Sequence, residues 1–344
     1  MSDPAPLHFP FATHPAEGEV TEVAPGILWL RLPLPMTLDH VNCYVLDDGD
    51  GWTLVDTGIA SSRAKAVFES LLSGPLAAKP LRRLIVTHYH PDHIGLAGWF
   101  VSRGVELLTT RTSWLTARML TLDRQETHTP EALTFARRAG MTEEQLQARA
   151  TERPFNFADV VAPLPPGFTR LAEGDTLTAG GRRWAIRFGQ GHAPDHALLF
   201  SQDDALVLAG DQVLPGISPL IAVYPSEPSE DPLTAFLTST AALAPHARED
   251  HLVLPGHKLP FTGLPRRLSE MAHHHEQALS RLLAHLATPR PATDCFPLLF
   301  KRPVTEATFG MALSESVAHL NCLLTRGLVT RQLSPEGAFL WQAI

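Results

Sequence analysis

The sequence predicts an α/β fold, a sandwich of mixed β-sheets with helices between the strands. Three observations predict it. Short apolar runs of strand length alternate with segments whose apolar residues recur at helical spacing. Asp48-Gly49, with Gly51, sits between two such runs and marks a hairpin. The chain is 344 residues long, about two domains, and its 44% hydrophobic and 19% charged residues are the balance of a folded protein.

Taken in order, residues 1–20 are proline-rich and read as a loose leader. They lack a basic start followed by an apolar stretch, so no signal peptide is expected. Strands are expected at Ile27–Leu32, Asn42–Leu46 and Trp52–Asp56, the last two joined by the hairpin. Ser62–Leu72 carries Ala66, Val67 and Leu71 at helical spacing. Leu84-Ile85-Val86 makes Arg83–Thr87 a buried strand, followed by a helix over His93–Arg103 and a short strand over Val105–Thr109. Residues 112–153 are poor in strand signals and rich in Arg, Glu, Gln and Ala. They read as two or three helices, Ser113–Leu122, Pro130–Ala139 and Thr142–Thr151, forming a lid or dimer element in which Trp114, Met119, Leu122, Phe135 and Met141 offer apolar surface. Strands resume at Thr169–Leu171, Thr176–Leu177, Arg183–Phe188, Ala197–Ser201, Ala205–Ala209 and Leu252–Leu254, the last between helices at Pro232–Ala244 and Leu264–Leu286. Beyond Thr288-Pro289-Arg290-Pro291 come helices at Ala292–Phe300, Thr305–Leu313 and Ser314–Arg326, then two short strands around Pro335-Glu336-Gly337, the layout of a winged helix.

Composition excludes several classes. No apolar run approaches the roughly 18 residues of a membrane span. Cys43, Cys295 and Cys322 are odd in number and far apart, which fits buried thiols in a reducing cytoplasm and neither a disulfide framework nor a cysteine-ligated zinc site. The net charge of −8 argues against a broad nucleic-acid-binding surface. The 17 histidines stand out, because imidazole is the commonest metal ligand.

Their positions matter more than their number. Thr87-His88-Tyr89-His90-Pro91-Asp92-His93 follows a buried strand directly. In extended chain His88 and His90 point to one side and can converge on one ion. Asp92 and His93, at a helix start, can face a second. Gly191-His192, Gly210-Asp211 and Gly256-His257 each follow a strand, and the glycine lets the backbone turn sharply to set the next side chain over the sheet edge. Five imidazoles and two carboxylates suit zinc, and also manganese or iron. Two ions about 3.5–4 Å apart would share a hydroxide nucleophile and polarise the carbonyl or phosphoryl oxygen it attacks. Asp92 is placed to hold or accept a proton.

These segments, with Asp56 in Val-Asp-Thr-Gly, resemble the metallo-β-lactamase superfamily in its broad, glyoxalase II-like hydrolase branch. The resemblance covers residues 21–265. It implies a four-layer αβ/βα sandwich with two divalent metals at the sheet edge: His88, His90 and His192 holding the first, Asp92, His93 and His257 the second, and Asp211 bridging, so that Asp92 and Asp211 are the catalytic carboxylates. Asp56 would orient a ligand. His196 resembles a histidine that in this family is not usually a ligand, and its expected role is structural. His40, Tyr224 and Lys258 are candidate substrate contacts. The consecutive His273, His274 and His275 point about 100° apart on a helix and cannot share one ion, so a solvated face is expected. His319 has no partner at ligand spacing.

The remainder bears on the class of substrate and does not name it. Residues 266–344, the linker helix and winged-helix domain, carry eight basic and six acidic side chains, a net of +2 that leaves −10 for the rest. So mild a tail would neutralise few phosphates and reads as a packing or dimerisation domain. The expected protein is a cytoplasmic, dinuclear metal hydrolase, with a homodimer as its candidate assembly and no membrane partner, acting on a small ester, thioester or lactone. The alternative is a metal-dependent endoribonuclease or phosphodiesterase, since a hydrolase domain followed by a winged helix also resembles a group containing an endoribonuclease.

Overall fold

A computed structural model of the chain describes residues 6–344. They form two compact units. One comprises the residues up to 124, with 155–219 and 243–268; the other comprises 125–154, 220–242 and 269–344.

The first unit is built on two sheets. Strands β1 (Thr21–Ala24), β2 (Ile27–Pro33), β3 (His40–Asp47), β4 (Trp52–Val55), β5 (Leu81–Val86), β6 (Glu106–Thr110) and β7 (Thr169–Leu171) lie side by side in that order. The first four are antiparallel and joined by tight turns; from β4 onward neighbours are parallel, with helical crossovers. Strands β8 (Thr176–Ala179), β9 (Arg182–Gly189), β10 (His196–Ser201), β11 (Leu206–Gly210) and β12 (Leu252–Pro255) make the second sheet, in which only β11 and β12 run parallel. The strand β1 had no counterpart in the sequence reading.

The two-residue period of a strand sorts the core. In β3, Val41, Cys43 and Val45 enter one apolar cluster, and Tyr44 and Leu46 enter another. Leu84 and Val86 of β5 join the first cluster, and Ile85 joins the second. The second cluster also holds Trp184, Ile186, Leu199 and Leu208 from the other sheet, so the two sheets pack face to face across it. The first cluster is closed by α1 (Ser62–Ser73) through Val67, Phe68 and Leu71, and by the short α2 (Pro91–Ile94) and α3 (Ala97–Val101). Ser61 caps α1 by accepting a hydrogen bond from the Ala64 amide at 3.1 Å. Burying Phe68 is worth roughly 2–3 kcal/mol.

The single helix expected over His93–Arg103 is two pieces. At Gly95 a Cβ would meet the carbonyl oxygens of Gly58 and Pro91, both at 2.4 Å, so the chain passes too close to its neighbours there to hold a larger residue. Helix α4 (Arg111–Leu122) packs Trp114 on Phe168, with ring centroids 4.9 Å apart, and leaves Met119 and Leu122 exposed. Of the segment read as a leader, residues 1–5 lie outside the described residues. His8 bridges to Thr262, and the Phe11 ring meets the edge of Trp29.

The second unit contains α5 (Pro130–Arg138), α6 (Glu143–Thr151), α7 (Pro232–Leu243), the C-terminal part of α8 (Leu264–His285), α9 (Phe296–Leu299), α10 (Glu306–Thr325) and the hairpin β13 (Val329–Leu333) and β14 (Phe339–Ala343). Three expectations are corrected here. Ala292–Phe300 is a 3-10 turn followed by a four-residue helix, with Pro297 in its first turn. Glu306–Thr325 forms one helix: Leu313-Ser314 contains no Pro or Gly to break it, and Ser316 to Leu323 are buried without interruption. The run His273 to His275 is not wholly solvated: His275 is 1% exposed, packs against Phe236 and has its Nδ1 3.3 Å from Nε2 of His319. No helix of the described residues is long and apolar enough to cross a membrane.

Candidate metal centre

The local chain explains how the candidate ligands come together. β5 ends at Val86, and Pro91 opens α2 with His90 still extended just before it. His88 and His90 therefore lie in the bend between β5 and α2, His90 with extended angles, and Asp92 and His93 lie in one helical turn. His192 sits in the turn between β9 and β10. β11 and β12 pair in parallel, with Gly210 opposite Pro255, so Asp211 and His257 leave the same sheet edge side by side. The amide of Gly256 donates to the Gly210 carbonyl at 2.7 Å. Glycine is required at 256: a Cβ would stand 2.1 Å from Asp211 Oδ1 and 2.8 Å from His93 Cε1.

Two donor groups result. In the first, His88 Nε2, His90 Nδ1 and His192 Nε2 form a triangle with sides of 3.0, 3.0 and 3.3 Å. Hydrogen bonds cannot run around so small a triangle of ring nitrogens. Ring nitrogens on a tetrahedral zinc ion, each about 2.0–2.1 Å from it, stand about 3.3 Å apart, so the triangle fits a cation. In the second group His257 Nε2 lies 3.1 Å from Asp211 Oδ2 and 3.2 Å from Asp92 Oδ2. His93 Nε2 lies 3.4 Å from Asp211 Oδ1 and 3.6 Å from Asp92 Oδ2. Asp211 Oδ2 also approaches His192 Nε2 to 3.7 Å and so touches both groups. His93 Nε2 and Asp211 Oδ1 are buried with no hydrogen-bond partner, as donors reserved for a metal would be.

The electrostatics point the same way. Burial, with His93 next, holds the His88 imidazole well below its usual value. Burial and the neighbouring His192 lower His90 to about 3. Both rings are thus neutral and free to donate lone pairs near neutrality. In the second group burial disfavours every charge but loses to the pairing. It lowers His257, yet Asp211 and Asp92 raise that ring to about 10. It lowers His93, which the carboxylates of Asp211, Asp92 and Asp56 nevertheless hold well above the ordinary value. Burial raises Asp92, but His93 and His257 bring it to about 2. Asp211 behaves alike, held well below the carboxylate range chiefly by His257 and His93. Buried carboxylates here recruit positive charge, as a cation site does.

The outer ring nitrogens are fixed from behind. Asp56 Oδ2 is 2.8 Å from His93 Nδ1, and Asp56 also accepts the Thr87 amide at 2.8 Å and the Thr87 hydroxyl at 2.9 Å. Asp56 stands at φ 62°, a strained conformation for a residue with a side chain. His257 Nδ1 meets the carbonyl oxygen of His40 at 2.7 Å, and Thr87 Oγ1 is 3.0 Å from His88 Nδ1. The loop carrying His257 is tied by Asn42, whose amide donates to the carbonyls of Pro255 and Lys258, and by the Tyr44 hydroxyl, which donates to Pro255. His196 accepts the backbone N–H of Asp211 at 3.0 Å and stacks on His88.

The structure thus brings together His88, His90, Asp92, His93, His192, Asp211 and His257, with Asp56 behind them. His40 is a buried neighbour that acts through its backbone. Lys258 stands at φ 69° beside His257, its amide against His40 Nε2. Tyr224 is in the second unit and 40% exposed. Sequence reasoning missed Thr87 and Tyr44, since a threonine and a tyrosine in buried strands carry no pattern that distinguishes support of a site from packing.

Such a site at the edge of a two-sheet sandwich defines a metal-dependent hydrolase. Residues 36–293 match the Metallo-beta-lactamase superfamily, and residues 279–344 match the Metallo-beta-lactamase-like, C-terminal domain. The chain belongs to the metallo-beta-lactamase superfamily. It is similar to a Beta-lactamase domain protein from Burkholderia ambifaria, with 35% identity, TM-score 0.90 and 98% of each chain covered. A metallo-beta-lactamase family protein from Thermus thermophilus is 27% identical with TM-score 0.77, covering 94% of this chain and all of the other. The probable metallo-hydrolase YqjP of Bacillus subtilis is 23% identical over 316 residues, 88% of this chain and 94% of that protein.

Proposed function

We propose that the protein is a dinuclear, zinc-dependent hydrolase of a small ester, thioester or lactone. One observation carries the reading: two adjacent donor groups, one of three imidazoles and one of two imidazoles and two carboxylates, that share Asp211. His88, His90 and His192 would hold one ion, Asp92, His93 and His257 the other, with Asp211 between. When bound, the ions supply a water-derived nucleophile at neutral pH and polarise the oxygen of the bond under attack. The chain supplies the rest. Asp92, ionised near neutrality, is the proton acceptor at Oδ2. Asp56, Thr87 and the His40 carbonyl hold the imidazole rings in orientation. Lys258 offers positive charge to an anionic part of the substrate. The net charge of −8 favours a small substrate over a polyanion.

The test is a panel of thioesters, lactones, β-lactams and short single-stranded RNAs, run on protein of measured metal content beside Asp211→Ala. Two equivalents of zinc and turnover of one of the small substrates are expected, with both metal and turnover lost in the variant. Unchanged activity in Asp211→Ala would sink the mechanism, and cleavage of RNA alone would overturn the substrate class.

A further inference from the structure

The second unit contains a cavity of about 390 Å³, and all of its lining residues belong to that unit. Its size is that of a small-molecule site. Pro130, Phe135, Pro228, Val317, Phe339 and Trp341 make most of its wall apolar.

Two guanidiniums break that apolar wall. Arg138, from the last turn of α5, lies 4.8 Å over the Phe339 ring. Arg331, on β13, lies 4.4 Å from the same ring and 5.3 Å from Trp341. Both are half-buried, and among the described residues neither forms an ion pair. Glu131 is the one carboxylate of the lining; it is exposed and pairs with neither arginine. Burial, and then the charge of Arg138, lower the Arg331 guanidinium. The Trp341 side chain is 1% exposed and belongs to the apolar wall. The lining therefore offers two cations on an apolar wall. A carboxylate supplies the matching acceptors, and guanidinium binds it in a fork.

We propose that this cavity is a binding site for a small amphipathic carboxylate, its charged end between Arg138 and Arg331 and its apolar body against Phe135, Val317 and Trp341. The site is separate in composition from the metal cluster and does not depend on what that cluster hydrolyses.

The test uses the full-length, metal-loaded protein with octanoate as probe and octan-1-ol as its uncharged counterpart, both followed by titration calorimetry. Saturable one-to-one binding of octanoate is expected, with octan-1-ol at least tenfold weaker. Arg138→Gln with Arg331→Gln should weaken octanoate at least tenfold, whereas the charge-keeping pair Arg138→Lys and Arg331→Lys should weaken it only a few-fold. Unchanged melting temperatures establish that the variants fold. Asp211→Ala should leave the affinity unchanged. No binding of octanoate, equal binding of the alcohol, or binding that survives the glutamine pair but is lost in Asp211→Ala would each overturn the proposal, the last by assigning the carboxylate to the metal cluster.

Discussion

Asp56 reaches the chemistry without touching it. Its carboxylate fixes His93 from behind and is itself pinned by the amide and hydroxyl of Thr87. Asp56→Asn keeps the shape and removes the charge facing the ring. It should lower metal affinity about 10- to 100-fold. Competition against a chromophoric chelator measures this, and unchanged affinity would show that Asp56 serves the fold alone. The candidate ligands were legible because four ligand-type side chains within six residues at a strand end cannot all be core. Of the residues behind them, Asp56 was legible only through the family resemblance, and the others were not. The His40 carbonyl is a backbone group, the same in every residue. Thr87 acts only because the chain turns just after β5.

At the scale of elements, α10 carries the clearest titration. Burial holds the Glu315 carboxyl up to about 8, with no charged or hydrogen-bonding partner to offset it. His319, one turn on, is lowered by burial to about 4 and stays neutral at neutral pH. A carboxyl raised in the folded state stabilises fully below its ordinary value near 4.5, and that contribution is lost as pH rises through about 8. Glu315→Gln should therefore leave melting at pH 4.5 nearly unchanged and raise the melting temperature at pH 9 by several degrees, since about 1.4 kcal/mol per unit between 4.5 and about 8 sets an upper bound of about 5 kcal/mol. Equal shifts at both values would mean that Glu315 is ionised in the native state. Most elements could be read from period and turn chemistry: β3 and β4 from Asp48-Gly49, α1 from its apolar face. The failures share a cause. The helix is interrupted at Leu96 (φ −95°, ψ 7°) while Gly95 keeps helical angles, a break that local pattern does not contain. His275 looked solvated within its run, and only packing against Phe236 and His319 buries it.

At the scale of the molecule, binding to the native state alone stabilises by mass action. Removing metal with a chelator should lower the first unit's melting temperature, and returning zinc should restore it. At free metal a thousandfold above the dissociation constant the gain is about 4 kcal/mol. Loading should also release protons above pH 7, because His257, raised to about 10, must lose its proton to donate from Nε2. Titrations in buffers of different ionisation enthalpy would count them. No release would mean that His257 does not bind the metal.

The parallel pairing of β11 with β12 has a consequence for biosynthesis. His93 and His257 meet only after Gly210 and Pro255 have aligned, so the last donor enters when about three quarters of the chain has been made. At a translation rate of about 5–20 residues per second, roughly 10–30 s separate the emergence of His93 from that of His257. For that interval the early histidines are exposed to whatever ions the cell holds. An ion held by all these residues together would be selected by the completed site, after β11 and β12 have paired, and not by the nascent chain.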